Sequence, residues 1–482
     1  MRVQFLGAAK QVGGSCQLFE VDDLKILIDV GLVQKNDIRS DMIFNTKEFT
    51  FNPKEIDYVI LTHAHIDHIG LIPALVKAGY SGPILCTEPT MKISEISLKD
   101  CAFIWQREIE KALKSVEVRK GKIKLNNGTL CAPYSVEEAE MSMQFFRGYG
   151  FDKEIVLNDN VKFYFRNAGH ILGAASIEFH IFENGKEKIV LFTGDISGKK
   201  DFHPFVKNVK YIDKADYVIS EATYGNRKHS KTNIIEVLEE KVKKYCISNK
   251  KTLLLATFSV QRTQELMYYF SKLYEKHPEF KNIKIYIDSP MGINVTKNVY
   301  RTSSEFFNDS DSKEYLLNIL NNNTEEDGIF SFMESSAESM SLANGEPKII
   351  ISSAGMMSAG RIVNHVESFL PSKGCCIILT GYCAVGTFGR KLLDIIESGG
   401  KKINSIASGK ELTIRADVYK LEGLSGHSDC NSTINYLKNI KGVKKIILNH
   451  GDIEAIDNLK NEIEKQMKKE VIVPSLNQII KL

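Results

Sequence analysis

Seven short apolar runs in this chain each end on a carboxylate or an imidazole: KILIDVG, YVILTHAH, FYFRNAGH, IVLFTGD, YVISEATYG, YKLEGLSGHSD and IILNHGD. Runs of this length and composition read as strands, and the amphipathic stretches between them read as helices laid over a sheet, so the fold class is α/β. Ligands of such folds gather where the strands end. Seven polar groups delivered at strand ends are therefore expected to converge.

From about Tyr224 to Leu392 the chain reads as a second α/β unit, with TLLLATFSV, KIYIDSP, KIIISSAG and CCIILTGY as buried strands and helical segments such as QRTQELMYYFSKLYEK between them. More than one domain is expected, because 482 residues exceed what a single core usually organises. Two further helices are expected. ISEISLKDCAFIWQREIEKALKSVE carries Ile96, Phe103, Ile104 and Leu113 as apolar anchors, and IIEVLEEKVKKYC reads as a crossover helix.

Composition narrows the function classes. No apolar run approaches the ~18 residues of a membrane span, and MRVQFLGAAK lacks a signal-peptide core, so a cytoplasmic protein with no membrane partner is expected. The nine cysteines form no C-x-x-C, which argues against a disulfide framework or a cysteine zinc site. A net charge of +3 leaves a polyanionic partner to be met by a local patch rather than a global field.

The densest chemistry lies in HAHIDH, where His63, His65, Asp67 and His68 share six positions. His63 and His65 stand two apart in an extended loop and can point the same way, whereas Asp67 and His68 open the next helical stretch and face a neighbouring position. Imidazole and carboxylate without thiolate suit zinc ahead of manganese or iron, and three protein ligands per ion leave a position for water. Taken alone, His170 in NAGHILGAAS reads as a structural histidine and Asp195 in LFTGDIS as a turn former. The company of residues 63–68 makes both candidate ligands.

The order Asp29, His63-x-His65-x-Asp67-His68, His170, Asp195 resembles the metallo-β-lactamase fold, an αββα sandwich with two metals at one sheet edge. Glu221 in SEATYGNR, His427 in LSGHSD and His450 in LNHGD are similar to motifs A, B and C of its β-CASP nucleases, the branch of RNase J and the mRNA 3′-end endonuclease. TFSVQRTQEL, YIDSPMG, SSAGMMSAGR and TGYCAVGTFGR extend the resemblance to about Asp452. It implies a metallo-β-lactamase domain in two parts, 1–223 and 393–482, around an inserted α/β β-CASP domain at 224–392.

The resemblance also implies two Zn2+ per chain, one on His63, His65 and His170, the other on Asp67, His68 and His450, with Asp195 bridging. Between two cations, water ionises near neutral pH and can attack a phosphodiester. Asp29 would orient a ligand histidine, although a turn aspartate reads the same. His427 would act as general acid, its pKa raised by Glu221. Ser353, Gly355, Arg361 and Arg390 would line a pocket for substrate phosphate, and tight strand-to-helix turns account for the same phrases equally well.

A histidine at motif C resembles the RNA-acting members, so single-stranded RNA is the expected substrate, cut endo- or exonucleolytically. The resemblance is to bacterial-type members without accessory RNA-binding domains, which implies a homodimer and a protein partner that gives specificity. Three alternatives stay open: a small-molecule metallo-hydrolase, a DNA nuclease of the same fold, and a non-catalytic RNA-binding scaffold. The chain departs from its relatives at SGHSD, at Asp452, at Gln261 where glycine is usual, and in a longer helical stretch between Glu88 and Gln144. None of these removes a ligand.

Overall fold

The computed structural model describes residues 1–35, 37–117, 130–198, 203–230, 232–308, 310–322, 328–344, 346–384 and 386–482. Part of the 89–143 stretch, residues 118–129, thus lies outside the described residues. The chain divides into two compact units, one of residues 1–34, 38–228 and 426–482, the other of 35–37 and 229–425.

The first unit is built on two seven-stranded sheets. One runs in the order Ile479–Lys481, Arg2–Phe5, Gln17–Val21, Leu24–Ile28, Tyr58–Ile60, Ile84–Thr87, Phe146–Tyr149. The other runs Val471–Ile472, Lys445–Asn449, Tyr217–Glu221, Lys186–Phe192, Ala175–Glu183, Val161–Asn167, Glu154–Val156. Alternate residues of both sheets, among them Phe5, Phe19, Ile28 and Ile60 from one and Phe163, Phe165, Phe179 and Phe192 from the other, close a shared core. That period-two pattern is what a sheet with one face on a core requires. Helices cover the outer faces: Glu88–Glu117 packs on strand Phe146–Tyr149, and Ile453–Met467 packs on strand Lys445–Asn449.

Helix Glu88–Glu117 uses the expected anchors only in part: Ile96 and Ile104 are half-buried. Phe103 and Leu113 are 50% and 55% exposed, whereas Ile93, Leu98, Ala102 and Trp105 are buried. The buried face is set by neighbours that the helix sequence does not name, and Tyr134 stacks edge-on against Trp105.

The second unit holds a six-stranded, all-parallel sheet in the order Phe330–Phe332, Ile285–Asp288, Ile349–Ser352, Leu253–Ala256, Cys376–Leu379, Asp417–Lys420. Its central strands are buried on both faces. Leu253, Leu255, Ile349 and Ile351 join a core with helix Arg262–Lys276, and Leu254, Ile350 and Ile377 join another with helices Ile362–Phe369 and Phe388–Glu397. Such strands read as continuous apolar runs. The segment 393–425, expected in the metallo-β-lactamase part, lies in this unit, because Asp417–Lys420 extends the sheet beside Cys376–Leu379.

Gln261, where the resemblance implies glycine, has φ +68° at the start of helix Arg262–Lys276. Glycine enters that region without steric cost. Here the side chain holds the turn instead, donating to Glu265 Oε1 at 2.8 Å and accepting from the Tyr300 hydroxyl at 2.6 Å.

Candidate metal centre

Every group of the site stands in the first unit, most of them just past a strand end. Asp29 follows strand Leu24–Ile28 with φ +58°, and His450 follows Lys445–Asn449 with φ +52°. His63 follows Tyr58–Ile60, and His65 precedes the short helix Ile66–Ile69 that carries Asp67 and His68. His170 and Asp195 lie beyond Val161–Asn167 and Lys186–Phe192, and Glu221 closes Tyr217–Glu221. Strand Asp417–Lys420 belongs to the other sheet, yet His427, seven residues on, still reaches the cluster.

Gly31 sets the loop height. A Cβ there would stand 1.7 Å from the Asp67 carbonyl oxygen.

The donor atoms fall into two groups. His65 Nδ1 is 3.1 Å from both His63 Nε2 and His170 Nε2. Asp67 Oδ2 is 3.4 Å from His450 Nε2 and 4.0 Å from His68 Nε2. Asp195 serves both, with Oδ2 at 3.5 Å from His63, 3.6 Å from His170 and 3.4 Å from His68, and with Oδ1 at 3.3 Å from His450 Nδ1. Donors each about 2.0–2.1 Å from one tetrahedral zinc lie about 3.3 Å from one another. His68 Nε2 and Asp195 Oδ1 are buried with no hydrogen-bond partner, which is costly unless something else binds them. Donor chemistry, spacing and orphaned atoms together fit a pair of cations.

The second ring nitrogens fix the tautomers. His68 Nδ1 lies 2.7 Å from Asp29 Oδ2, His170 Nδ1 2.9 Å from the Gly426 carbonyl, and His63 Nδ1 3.0 Å from Thr62 Oγ1. Each partner is placed to accept the Nδ1 proton and turns Nε2 inward. Asp29 is itself fixed by the Thr62 N–H at 2.8 Å. Thr62 and Thr223, whose hydroxyl donates to the His450 carbonyl at 3.1 Å, are supports that the sequence reading missed. Only their positions, beside HAHIDH and inside EATYG, could have marked them.

Burial, aided by neighbouring imidazoles, pushes His63 and His170 well below the ordinary histidine range. Burial also lowers His65, to about 4. All three are thus neutral, the form that binds metal. Burial would lower His68 too, but Asp195 and Asp29 outweigh it and raise the pKa. Burial would raise Asp195, but His450 and His68 hold it well below the carboxylate range.

Beside the cluster, His427 Nδ1 lies 2.9 Å from Glu221 Oε2, and Glu221 Oε1 accepts from the Ile196 N–H at 2.7 Å. Burial opposes the charged imidazole of His427, but Glu221 and then Asp195 outweigh it and lift the pKa to about 9. Among the remaining histidines, His365 is buried on Asp288, His180 Nδ1 lies 2.8 Å from Glu187 Oε1 and His277 Nδ1 3.0 Å from Glu279 Oε1.

The residues expected to hold phosphate lie in the second unit. Ser353 Oγ is 2.9 Å from Ser289 Oγ, and Gly355 lies against the Phe258 ring, which a Cβ would meet at 3.0 Å. Arg361, expected to grip phosphate, instead donates to Asp288 Oδ1 at 2.6 Å and to the Met333 and Glu334 carbonyls at 2.7 and 2.9 Å. Its fork is taken up by a fully buried carboxylate. Arg390 pairs with Asp394 one helical turn on and is partly exposed.

Residues 9–109 match the metallo-β-lactamase superfamily, 263–392 the Beta-Casp domain, and 411–474 the Zn-dependent metallo-hydrolase RNA specificity domain. The chain belongs to the β-CASP branch of the metallo-β-lactamase superfamily. This β-CASP protein is 28% identical to the transcription termination factor FttA of Methanocaldococcus jannaschii, over 98% of its own length and 70% of the relative's. It is 28% identical to Ribonuclease TTHA0252 of Thermus thermophilus, with 95% and 94% covered, and 29% identical to an RNase J-like protein of M. jannaschii, with 99% of each covered. Among solved structures, a protein of unknown function from Enterococcus faecalis V583 covers 100% of the chain at TM-score 0.52 and 13% identity, a likeness of fold alone.

Proposed function

We propose that this β-CASP protein is a two-zinc ribonuclease that hydrolyses phosphodiester bonds of single-stranded RNA. The observation that carries the reading is the Glu221–His427 pair, 2.9 Å apart, standing against a seven-ligand cluster. A small-molecule metallo-hydrolase has no evident use for this added acid. The filled ligand positions speak against a non-catalytic scaffold. The resemblance of His450 to the motif C histidine of RNA-acting members supports RNA over DNA as substrate.

His63, His65 and His170 would hold one zinc, and Asp67, His68 and His450 the other, with Asp195 between them. When bound, such a pair supplies a hydroxide nucleophile near neutral pH and neutralises charge on the attacked phosphate. Asp29 keeps His68 in the tautomer that offers Nε2. His427, held cationic by Glu221, donates its proton to the leaving oxygen of the cut strand. Glu221 also fixes the ring, since the Ile196 N–H pins its other oxygen.

Among the described residues no helix is long and apolar enough to cross a membrane. A cytoplasmic location suits an RNA substrate. A homodimer and a specificity-giving partner remain part of the proposal.

The test incubates purified protein, with and without chelator, with labelled single-stranded RNA, matching DNA and a chromogenic β-lactam. Cleavage of RNA alone, abolished by chelator, is the expected result. Cleavage of DNA alone or of the β-lactam alone, or no cleavage of any substrate, overturns the reading.

A further inference from the structure

The Glu221–His427 hydrogen bond holds the imidazole at Nδ1. Neighbouring rings pack against the rest of it. The His170 ring stands on one side at a centroid distance of 4.5 Å. The Tyr224 ring meets it edge-on from another, at 5.7 Å and 70°.

Tyr224 is itself held. It is 8% exposed, and the Arg227 guanidinium lies 5.0 Å from its ring centroid, a cation–π arrangement. The turn that presents it is tied at each step. The Gly225 N–H donates to the Ala222 carbonyl and the Arg227 N–H to the Tyr224 carbonyl, both at 3.1 Å. The Arg227 carbonyl accepts from the Cys430 N–H at 3.1 Å, at the start of the helix that follows His427. The Ala222 N–H and the Thr223 hydroxyl both donate to the His450 carbonyl at 3.1 Å. The seven residues Glu221–Arg227 therefore carry the carboxylate that bonds His427, the ring that packs on it, and ties to His450 and to the helix that follows His427.

We propose that Tyr224 is a positioning residue whose ring, backed by Arg227, locks the His427 imidazole in the one orientation that serves the leaving group. The proposal rests on the nuclease reading above. The ring, not the hydroxyl, is the working part, so phenylalanine must substitute for it and an aliphatic residue must not. A proton donor misplaced by about 1 Å can lose two orders of magnitude in rate, so the effect belongs in kcat rather than in substrate binding.

The experiment compares wild type, Tyr224→Phe and Tyr224→Leu as zinc-loaded full-length proteins. It measures zinc content, kcat and KM on labelled RNA, and the ring signals of His427 in protein carrying 15N-histidine. Expected are full zinc in all three, kcat within about twofold of wild type for the phenylalanine variant, and a fall of roughly 10–100-fold at similar KM for the leucine variant. The His427 signals should stay in place in the first variant and shift or broaden in the second.

Wild-type kcat with unmoved His427 signals in Tyr224→Leu overturns the proposal. So does an equal loss in both variants, which would assign the role to the hydroxyl, or a loss of zinc. Should wild type cleave no RNA, the nuclease reading falls by itself, and the ring signals alone decide whether Tyr224 orients His427.

Discussion

His68 Nδ1 and Asp29 Oδ2 meet at 2.7 Å, both side chains almost wholly shut from solvent. The pair joins the first aspartate of the site to a histidine 39 positions later, and the Thr62 N–H and hydroxyl complete the carboxylate's shell.

Asp29→Asn removes the charge that holds this proton. Zinc affinity is expected to fall about 10–100-fold, the usual effect of losing such a partner. Competition with a chelating dye measures it, and unchanged affinity would mark Asp29 as a turn residue only.

On the proposed reading, in which the ring moves a proton and does not bind metal, His427→Ala should lower RNA turnover by about 10²–10⁴ while leaving zinc content intact. Elemental analysis beside single-turnover cleavage reads both quantities. Activity equal to wild type would remove His427 from the chemistry.

Gly31→Ala should damage the centre without touching a ligand. The new Cβ would need the 1.7 Å that separates it from the Asp67 carbonyl oxygen, and 2.8 Å from the Ser15 nitrogen. The loop carrying Asp67 and His68 must therefore move. Zinc stoichiometry below that of wild type, with the fold retained by circular dichroism, is expected.

Asp288 offers a test of the second unit. Burial would raise its pKa, but hydrogen bonds from His365, Ser339 and Arg361, each at 2.6 Å, hold it below the 3.8 of a free aspartate. A group depressed in the fold stabilises it at pH above the unfolded value and loses that contribution as pH falls through the folded value. Asp288→Asn should thus cost about 3 kcal/mol at pH 7, the low end for breaking a buried pair. The difference from wild type should shrink below about pH 4. Urea midpoints at several pH values give the answer, and a cost independent of pH would exclude the linkage.

Much of the centre was legible because its chemistry is written locally. HAHIDH names four donors in six positions, and each later group closes or follows an apolar run. The sandwich and the parallel sheet were equally legible, through period-two burial in Val161–Asn167 and unbroken burial in Leu253–Ala256. What the chain does not write locally was misread. The Beta-Casp match ends at residue 392 as expected, but nothing in DVYK tells which sheet it joins, so the addition of Asp417–Lys420 to the second unit's sheet was not foreseen. Arg361 could not be known to be engaged, since Asp288 is 73 positions away and its other acceptors are carbonyls. Phe103 and Leu113 look like anchors by residue type alone.

Tyr217–Glu221 pairs in parallel with Lys445–Asn449 across the whole inserted unit. The ribosome delivers HAHIDH early and His450 only after about 380 further residues, a wait of roughly 20–80 s at ordinary rates of synthesis. Until then the nascent polypeptide lacks His450, and for most of that time His427 as well. On the proposed reading, a chain built this way stays unarmed until the segment that carries His450 has been made.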